Sequence, residues 1–360
     1  MYALLFSDTG LSVARISSLF AIWSLTGVVL EVPSGAWADA VSRRLLLWLG
    51  PLLTAVGFAL WVLVPSYWAF AAGFVLWGAR GALASGALEA LVYEELERAG
   101  AVTRYARVMG RARAFGLVAV MSAMGLAGPV FAWGGYPAVG AASVLACLAT
   151  AVTATRFPEH RVAGEDEGDG WAATLRAGLA EVRRERSLRG AMVLVPVVTA
   201  VWGALDEYTP LLVRATGVAE ATVPGLLLLI WAGATAGSLL AGRCERLGGR
   251  GLAWLLGGAA VALAAGAEAR TPAGLVLVAL AFGGFQLATV LADVRLQRRI
   301  DDTGRATLTS VAGLGTDVAT VAVYAGYGAL ATRTGHATAF AVFAVPYLVT
   351  ALVPAIRARD

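Results

Sequence analysis

Runs of about 20 mostly apolar residues recur along nearly the whole chain, and they constrain its fold more than any other feature. A helix of that length crosses a hydrocarbon core of about 30 Å while satisfying its own backbone hydrogen bonds. Hydrophobic residues make up 59% of the 360 and charged residues only 14%, against about a quarter in soluble domains. The sequence therefore predicts an all-α polytopic membrane protein.

Charged residues, Pro and Gly separate these runs into eleven predicted spans. The spans cover residues 16–38, 46–64, 67–92, 108–132, 136–155, 190–213, 221–241, 251–267, 273–293, 306–330 and 337–356. Residues 1–7, MYALLFS, look like the end of one further helix. We expect a start codon upstream of Met1, with a genuine eleven-helix protein as the alternative.

The arginines predict the orientation of these spans. All 28 basic residues are arginine. The loops on one side hold only Arg15, Arg214, Arg270 and Arg333, Arg80 lies within a span, and all the others fall on the opposite side or at the C-terminus. The positive-inside rule makes that arginine-rich side cytoplasmic. We expect a multi-pass protein of a bacterial inner or plasma membrane, with its C-terminus in the cytoplasm.

The same composition excludes several kinds of chemistry. Without lysine, the chain has no phosphate-binding loop ending in Lys-Ser or Lys-Thr, no Schiff-base lysine and no Ser-x-x-Lys nucleophile. Its two cysteines and two histidines show no metal-ligand spacing. We expect no enzyme activity, no cofactor and no metal. Because the loop arginines set topology, we also expect no nucleic-acid partner.

A polar interval at 157–188 divides the chain in two. It begins with the acidic stretch GEDEGDG and continues as WAATLRAGLAEVRRER, an amphipathic segment that fits either the inner membrane surface or a solvated linker helix. We expect an N-terminal helix bundle over 1–156, the linker over 157–188 and a C-terminal bundle over 189–360.

The two halves repeat with an offset of 206 residues. SGAWADAVSRR follows the first span, and LAGRCERLGGR follows the second span of the later half. Aligning Asp39 with Glu245 also pairs Arg44 with Arg250.

Elsewhere, the pair Gly233 and Gly237 predicts a close approach of two helices.

The first of these loops lies in the stretch LEVPSGAWADAVSRR, residues 30–44, which has Glu31 inside the end of an apolar run. Membrane physics alone explains such residues: Gly35 permits close packing, Asp39 favours the N-terminus of a neighbouring helix, and Arg43 and Arg44 anchor at anionic lipid. The alternative is a cytoplasmic gate formed by Glu31, Gly35, Asp39, Arg43 and Arg44, with Glu245 and Arg250 in the second half.

The pattern Gly35-x-x-x-Asp39-x-x-x-Arg43-Arg44 resembles the loop signature of the major facilitator superfamily, Gly-x-Leu-Ala-Asp-Arg-x-Gly-Arg-Arg/Lys. The departures are Trp37, Ala40 and Ser42. Arg80 resembles the membrane-embedded arginine of that family's fourth helix. A further set resembles the glycine-rich fifth-helix motif of its antiporters: Gly116, Gly125, Gly128-Pro129 and Gly134-Gly135.

The resemblance implies a twelve-helix fold of two six-helix bundles, with the first helix mostly missing from this chain. Substrate would bind near the midplane and be exposed alternately to each side by rocking of the bundles. Four residues would lie near the central space: Arg80, Asp206, Glu207 and Gln286. Trp23, Trp77, Trp202 and Trp231 are further candidates for ligand contact.

Charged side chains inside the spans are candidates for function because each is costly in the bilayer core. One hypothesis is that Arg80 pairs with Glu207 or Asp206 in one conformation and releases that acid to take a proton in the other. The alternative is a static ion pair between the bundles. Asp317, near the middle of its span, is expected to act in coupling or gating.

These observations favour a monomeric secondary active transporter that exports a small molecule in exchange for protons. Its partners would be the small-molecule substrate, protons and the lipid bilayer. The alternatives are proton-coupled uptake of a nutrient and a membrane protein that binds a partner or lipid without transport.

Overall fold

The computed structural model describes residues 1–40, 42–84, 87–158, 186–297 and 305–352. Side chains are described at these residues except 31–40, 106, 113, 186–193, 297 and 305–311. The described residues are mostly helical and contain no strand. The helices are α1 Tyr2–Asp8, α2 Val13–Ala40, α3 Arg43–Leu63, α4 Tyr67–Ala84, α5 Ala87–Arg98, α6 Tyr105–Ala154, α7 Arg186–Asp206, α8 Thr209–Ala215, α9 Val223–Cys244, α10 Gly249–Glu268, α11 Gly274–Gln297, α12 Arg305–Thr334, α13 His336–Phe343 and α14 Val345–Leu352.

Within the described residues, each predicted span lies along one helix, along part of α6 or along two consecutive helices. Within the described part of the chain, seven helical segments are long and apolar enough to cross a membrane by length and composition. One of them, Tyr67–Arg98, covers both α4 and α5, and another, Val102–Ala154, contains two predicted spans. The segments Leu194–Asp206 and His336–Leu352 are shorter apolar helices.

Two predicted spans lie within α6, where the chain turns at Gly134 and Gly135. Gly135 has φ +60° and ψ −154°, and Gly134 has φ −151° and ψ 19°. Glycine adopts the first of these conformations without a Cβ clash. The pair therefore forms the turn between two spans, rather than the end of the fifth-helix motif that the sequence suggested.

The described residues form two compact units. One contains residues 8–11 and 19–158, and the other contains residues 1–7, 12–18 and the described residues from 186 onward. Helix α2 therefore begins in one unit and continues into the other. The boundaries 1–156, 157–188 and 189–360 remain predictions, and most of the expected linker lies outside the described residues.

In the unit with residues 19–158, α3 packs against α4 and α6. Trp61 of α3 is buried, and its indole donates to the carbonyl oxygen of Phe70 on α4 at 3.1 Å. Trp23 and Trp77 stack with their ring centres 4.7 Å apart. Aromatic packing of this kind holds helices together by area and ring geometry.

In the other unit, α11 packs against α9 and α10. An ideal Cβ at Gly237 of α9 would lie 2.1 Å from the carbonyl oxygen of Gly283 on α11, and one at Gly233 would lie 2.1 Å from that of Ala279. The backbones meet this closely because both positions lack a side chain. The predicted role of Gly233 and Gly237 is confirmed.

The offset of 206 residues also relates helices of the two halves of the sequence. It places Gly249, the first residue of α10, on Arg43, the first residue of α3. It places Thr209, the first residue of α8, on Ala3 of α1. The short helix α1 thus corresponds to the short helix that follows α7.

Candidate functional site

The loop between α2 and α3 is held by side chains of its own and by neighbouring helices. Ser42 is the N-cap of α3, and its hydroxyl accepts from the backbone N–H of Leu45 at 3.0 Å. Arg43 forms an ion pair with Glu94 of α5 at 2.6 Å, with the two side chains 11% and 33% exposed.

Arg44 reaches a different part of the same unit. Its guanidinium donates to the carbonyl oxygen of Phe157, just beyond α6, at 3.4 Å. A cation near a helix C-terminus is favourable because the last carbonyls are negative. The motif arginines thus tie the loop to α5 and to the end of α6. The side chains of Glu31, Gly35 and Asp39 lie outside the described residues.

The corresponding loop between α9 and α10 is tied in a similar way. Glu245 is the C-cap of α9, and Arg250 lies exposed in the first turn of α10. The contact that holds this loop comes from Arg295 of α11, which donates to the carbonyl oxygen of Leu247 at 2.5 Å. Arg295 was not singled out from the sequence.

Three predicted site residues have different neighbours: Arg80, Gln286 and Asp317. The half-buried Arg80 packs its Cγ 3.0 Å from an ideal Cβ at Gly50 of α3. The pairing of Arg80 with Asp206 or Glu207 stays a prediction, because Arg80 belongs to one compact unit and the two acids to the other. Gln286 of α11 donates to Ser238 of α9 at 2.8 Å. Asp317 is half-buried on α12.

Asp206 and Glu207 lie where a transmembrane helix is interrupted. Helix α7 ends at Asp206 and α8 begins at Thr209, whose hydroxyl donates to the Asp206 carbonyl oxygen at 2.6 Å. Pro210 in the first turn of α8 has no N–H to donate, which favours a fresh helix start. The carboxylate of Glu207 accepts a hydrogen bond from the hydroxyl of Tyr2.

A cluster of tyrosines surrounds this interruption within the same unit. The fully buried Tyr208 donates to Ser17 at 2.7 Å and stacks on Tyr327 at 3.7 Å between ring centres. The hydroxyl of Tyr327 is hydrogen-bonded to Nδ1 of His336 at 2.8 Å. Tyrosines inside apolar runs were the only sequence signal for this cluster, and the sequence reasoning missed them.

A shallow cavity of about 190 Å³ lies beside this cluster. Its lining includes Thr216, Arg270, Thr334 and His336. In the part of the chain that the structure describes, no group of three or more His, Cys, Asp or Glu side chains could hold a metal ion.

Trp202 of α7, one candidate for ligand contact, is engaged by protein groups. Its indole donates to Thr289 at 3.1 Å, and its backbone N–H donates to the hydroxyl of Tyr347 at 2.8 Å. The same hydroxyl donates to the carbonyl oxygen of Val198 at 3.1 Å. The Tyr347 hydroxyl therefore bridges the N–H of Trp202 and the carbonyl oxygen of Val198, which lie four residues apart on α7.

The sequence model of the Major Facilitator Superfamily matches residues 1–307. The chain belongs to the major facilitator superfamily. This membership confirms the predicted all-α transporter fold and makes the chain a multi-pass membrane transporter of small molecules. No curated protein matches it by sequence.

Solved transporters of this superfamily share the fold. The nucleoside transporter NupG is 15% identical with a TM-score of 0.76, covering 98% of this chain and 92% of NupG. A NupG mutant is 14% identical with a TM-score of 0.78, covering 99% of this chain and 93% of the mutant. The xylose transporter XylE from E. coli, in an inward-open conformation, is 12% identical with a TM-score of 0.65, covering 96% of this chain and 87% of XylE. At these identities the likeness extends to the fold alone.

Proposed function

We propose that this chain is a proton-coupled secondary transporter that exports a small organic molecule by alternating access. The observation that supports proton coupling is the pair Asp206 and Glu207 at the interruption between α7 and α8. Interrupted helices are where transporters of several folds place their substrate and coupling-ion sites.

The chemistry of this pair suits a proton. Neither carboxylate forms an ion pair with an arginine among the described residues, and the nearby Arg214 is paired with Glu220 at 3.4 Å. Two neighbouring carboxylates repel each other when both are ionised, so a proton on either one relieves the repulsion. A charge within a membrane-spanning segment is also costly.

Other residues are proposed to serve the same pathway, each within its own unit. Arg80 carries a permanent charge, which suits a carboxylate or another anion. Gln286 and Ser238 offer a hydrogen-bonding pair, and Asp317 is proposed to act in coupling or gating. Arg43, Arg44, Glu245 and Arg250 are proposed to belong to the cytoplasmic gate, together with Glu31, Gly35 and Asp39.

Export is supported by Gly125 and Gly128-Pro129 of α6, which resemble the antiporter motif. The chain also has few polar side chains that could hold a sugar.

The test is accumulation of a panel of dyes and antibiotics in cells that produce the chain, with and without a protonophore. Proton-driven export predicts lower accumulation than in empty-vector cells, abolished by the protonophore and by Glu207→Gln. The matched control is Glu268→Gln, because that carboxylate is exposed and pairs with Arg270. Higher accumulation would indicate uptake, and no difference for any compound despite verified membrane insertion would contradict the proposal.

A further inference from the structure

The shallow cavity described above lies where three predicted non-cytoplasmic loops of one unit come together, at 214–222, 268–273 and 331–336. Its volume of about 190 Å³ is below the roughly 300–1,000 Å³ of drug-sized ligand sites. The cavity therefore has room for a small ion. Neither Asp206 nor Glu207 lines it, so it is separate from the carboxylates of the proposed function.

Arginine is concentrated in these three loops although it is rare on this side of the chain. Of the four arginines in the predicted non-cytoplasmic loops, the three loops hold Arg214, Arg270 and Arg333. They also hold two acids, Glu220 and Glu268, so an excess of one positive charge remains. Basic residues are normally sparse in non-cytoplasmic loops, and the excess here favours an anion as the ligand.

Arg270 lines the cavity in a backbone conformation that costs energy. It follows the end of α10 with φ +51°, and among the described residues it is the only one other than glycine with a positive φ. Glycine is the usual residue at this position after a helix, because a Cβ is crowded there. The Arg270 side chain is 63% exposed, and its ion pair with the 41% exposed Glu268 contributes little to stability. An anion in the cavity would give this strained arginine a function.

His336 brings a second donor to the cavity. Its Nδ1 is hydrogen-bonded to the hydroxyl of the fully buried Tyr327 at 2.8 Å. Among the described residues, Nδ1 is the one hydrogen-bond partner of that hydroxyl. A buried O–H donates where an acceptor is available, so Nδ1 accepts and Nε2 carries the ring proton. His336 lines the cavity and therefore supplies an N–H donor to it.

The start of α13 adds backbone donors at the same place. Its N-cap is Gly335, which has no side chain to accept from the first N–H groups of the helix. Gly335, His336 and Ala337 all line the cavity. N–H groups at the start of a helix favour an anion, and here they add to the two side-chain donors.

Two threonines supply acceptors. Thr216 donates its hydroxyl proton to the carbonyl oxygen of Val213 at 2.7 Å, and Thr334 donates to that of Leu330 at 3.1 Å. Both threonines line the cavity. Because the hydroxyl protons are used by backbone carbonyl groups, the threonine oxygens are left with lone pairs that accept. The lining thus combines N–H donors with hydroxyl acceptors.

Inorganic phosphate matches this combination of groups. Its oxygens accept hydrogen bonds, and at neutral pH it keeps at least one O–H that donates, whereas sulfate keeps none. We propose that the cavity binds inorganic phosphate. Arg270 and His336 donate to the phosphate oxygens, and the two threonines accept from its O–H. Arginine pairs strongly with phosphate because two of its N–H groups match two oxygens. The phosphodiester of a lipid headgroup carries a similar charge without the O–H.

The test is equilibrium binding of radiolabelled phosphate to the purified chain in detergent, without phosphate buffer. We expect saturable binding, with sulfate binding about tenfold more weakly or less, because it leaves the threonine oxygens unpaired. Arg270→Gly should weaken phosphate binding about tenfold or more, because charge-assisted hydrogen bonds are lost. The matched control is Arg246→Gln, which removes an exposed arginine from the loop between α9 and α10 and should bind phosphate like the parent protein.

Two properties of the variants separate binding from folding. Glycine adopts φ +51° without a Cβ clash, so phosphate-free Arg270→Gly should be about as stable to unfolding as the parent protein. In His336→Asn, the amide oxygen can still accept from Tyr327, but the N–H at the Nε2 position is lost. Phosphate binding by His336→Asn should again fall about tenfold.

Three results would overturn the proposal: no saturable phosphate binding, binding unchanged in Arg270→Gly, or sulfate binding as tightly as phosphate. A further arm uses nanodiscs with and without phosphatidylglycerol. Stabilisation by this lipid that disappears in Arg270→Gly, in a chain that does not bind phosphate, would assign the cavity to a lipid headgroup instead.

Discussion

Replacing Gly237 with alanine should force α9 and α11 apart. An ideal Cβ at this position would lie 2.1 Å from the carbonyl oxygen of Gly283, 2.9 Å from its carbonyl carbon and 3.1 Å from its Cα. A carbon atom and a carbonyl oxygen in contact are normally about 3.3 Å apart or more, so the helices must separate by about 1 Å. All three contacted atoms are backbone, which cannot rotate away as a flexible side chain can.

The expected cost follows from this geometry. Overpacking a closely packed interior costs about 1–3 kcal/mol. Separation of the helices would also stretch the 2.8 Å hydrogen bond between Gln286 and Ser238, which lies one residue from the clash. We therefore expect Gly237→Ala to lower the free energy of unfolding by about 3 kcal/mol, at the upper end of that range.

The assay is unfolding in mixed micelles with increasing dodecyl sulfate, followed by tryptophan fluorescence. Gly242→Ala on the same helix is the matched control, because an ideal Cβ there would meet no atom within 4 Å other than the neighbouring backbone of its own helix. Alanine favours a helix over glycine by up to about 1 kcal/mol, so the control should be as stable as the parent protein or slightly more so. A Gly237→Ala protein that unfolds together with Gly242→Ala would refute the reasoning.

The same unfolding assay tests three other contacts. Ser42→Ala should lower the free energy of unfolding by about 1 kcal/mol because it removes the N-cap of α3. Ser42→Asp should keep most of the stability that the cap contributes, because aspartate is also a good N-cap. Arg43→Ala and Glu94→Ala should show a coupling energy of up to about 1 kcal/mol in a double-mutant cycle, and zero coupling would contradict a stabilising ion pair. Tyr347→Phe removes a buried hydroxyl bonded to α7 and should cost about 1–3 kcal/mol, while Tyr93→Phe, 44% exposed, should cost almost nothing.

The all-α fold and the order of the apolar segments along the chain could be predicted, because hydropathy largely decides which segments remain in a bilayer. The turn within α6 was placed correctly by the Gly134-Gly135 break, although its glycines had been given a second role. The interruption between α7 and α8 was not predicted, because the apolar run continues on both sides of it. Pro210 and the two adjacent acids were the signals that could have marked it.

The partners of the candidate residues could not be predicted in the same way. Glu94 follows Arg43 by 51 positions and Glu207 follows Tyr2 by 205, and only the packing of helices brings each pair together. The sequence places charges in spans and loops, whereas the acceptor of each charge depends on helix rotation.

Proton movement in proteoliposomes tests the central claim most directly. The purified chain is reconstituted with a pH-sensitive dye inside, and the compound with the largest protonophore-sensitive difference in the cell panel is added on one side. Proton-coupled export predicts that a gradient of this compound drives protons in the opposite direction, and that Glu207→Gln abolishes this flux while Glu268→Gln does not. Compound transport without any change in internal pH, or an unchanged proton flux in Glu207→Gln, would contradict the account.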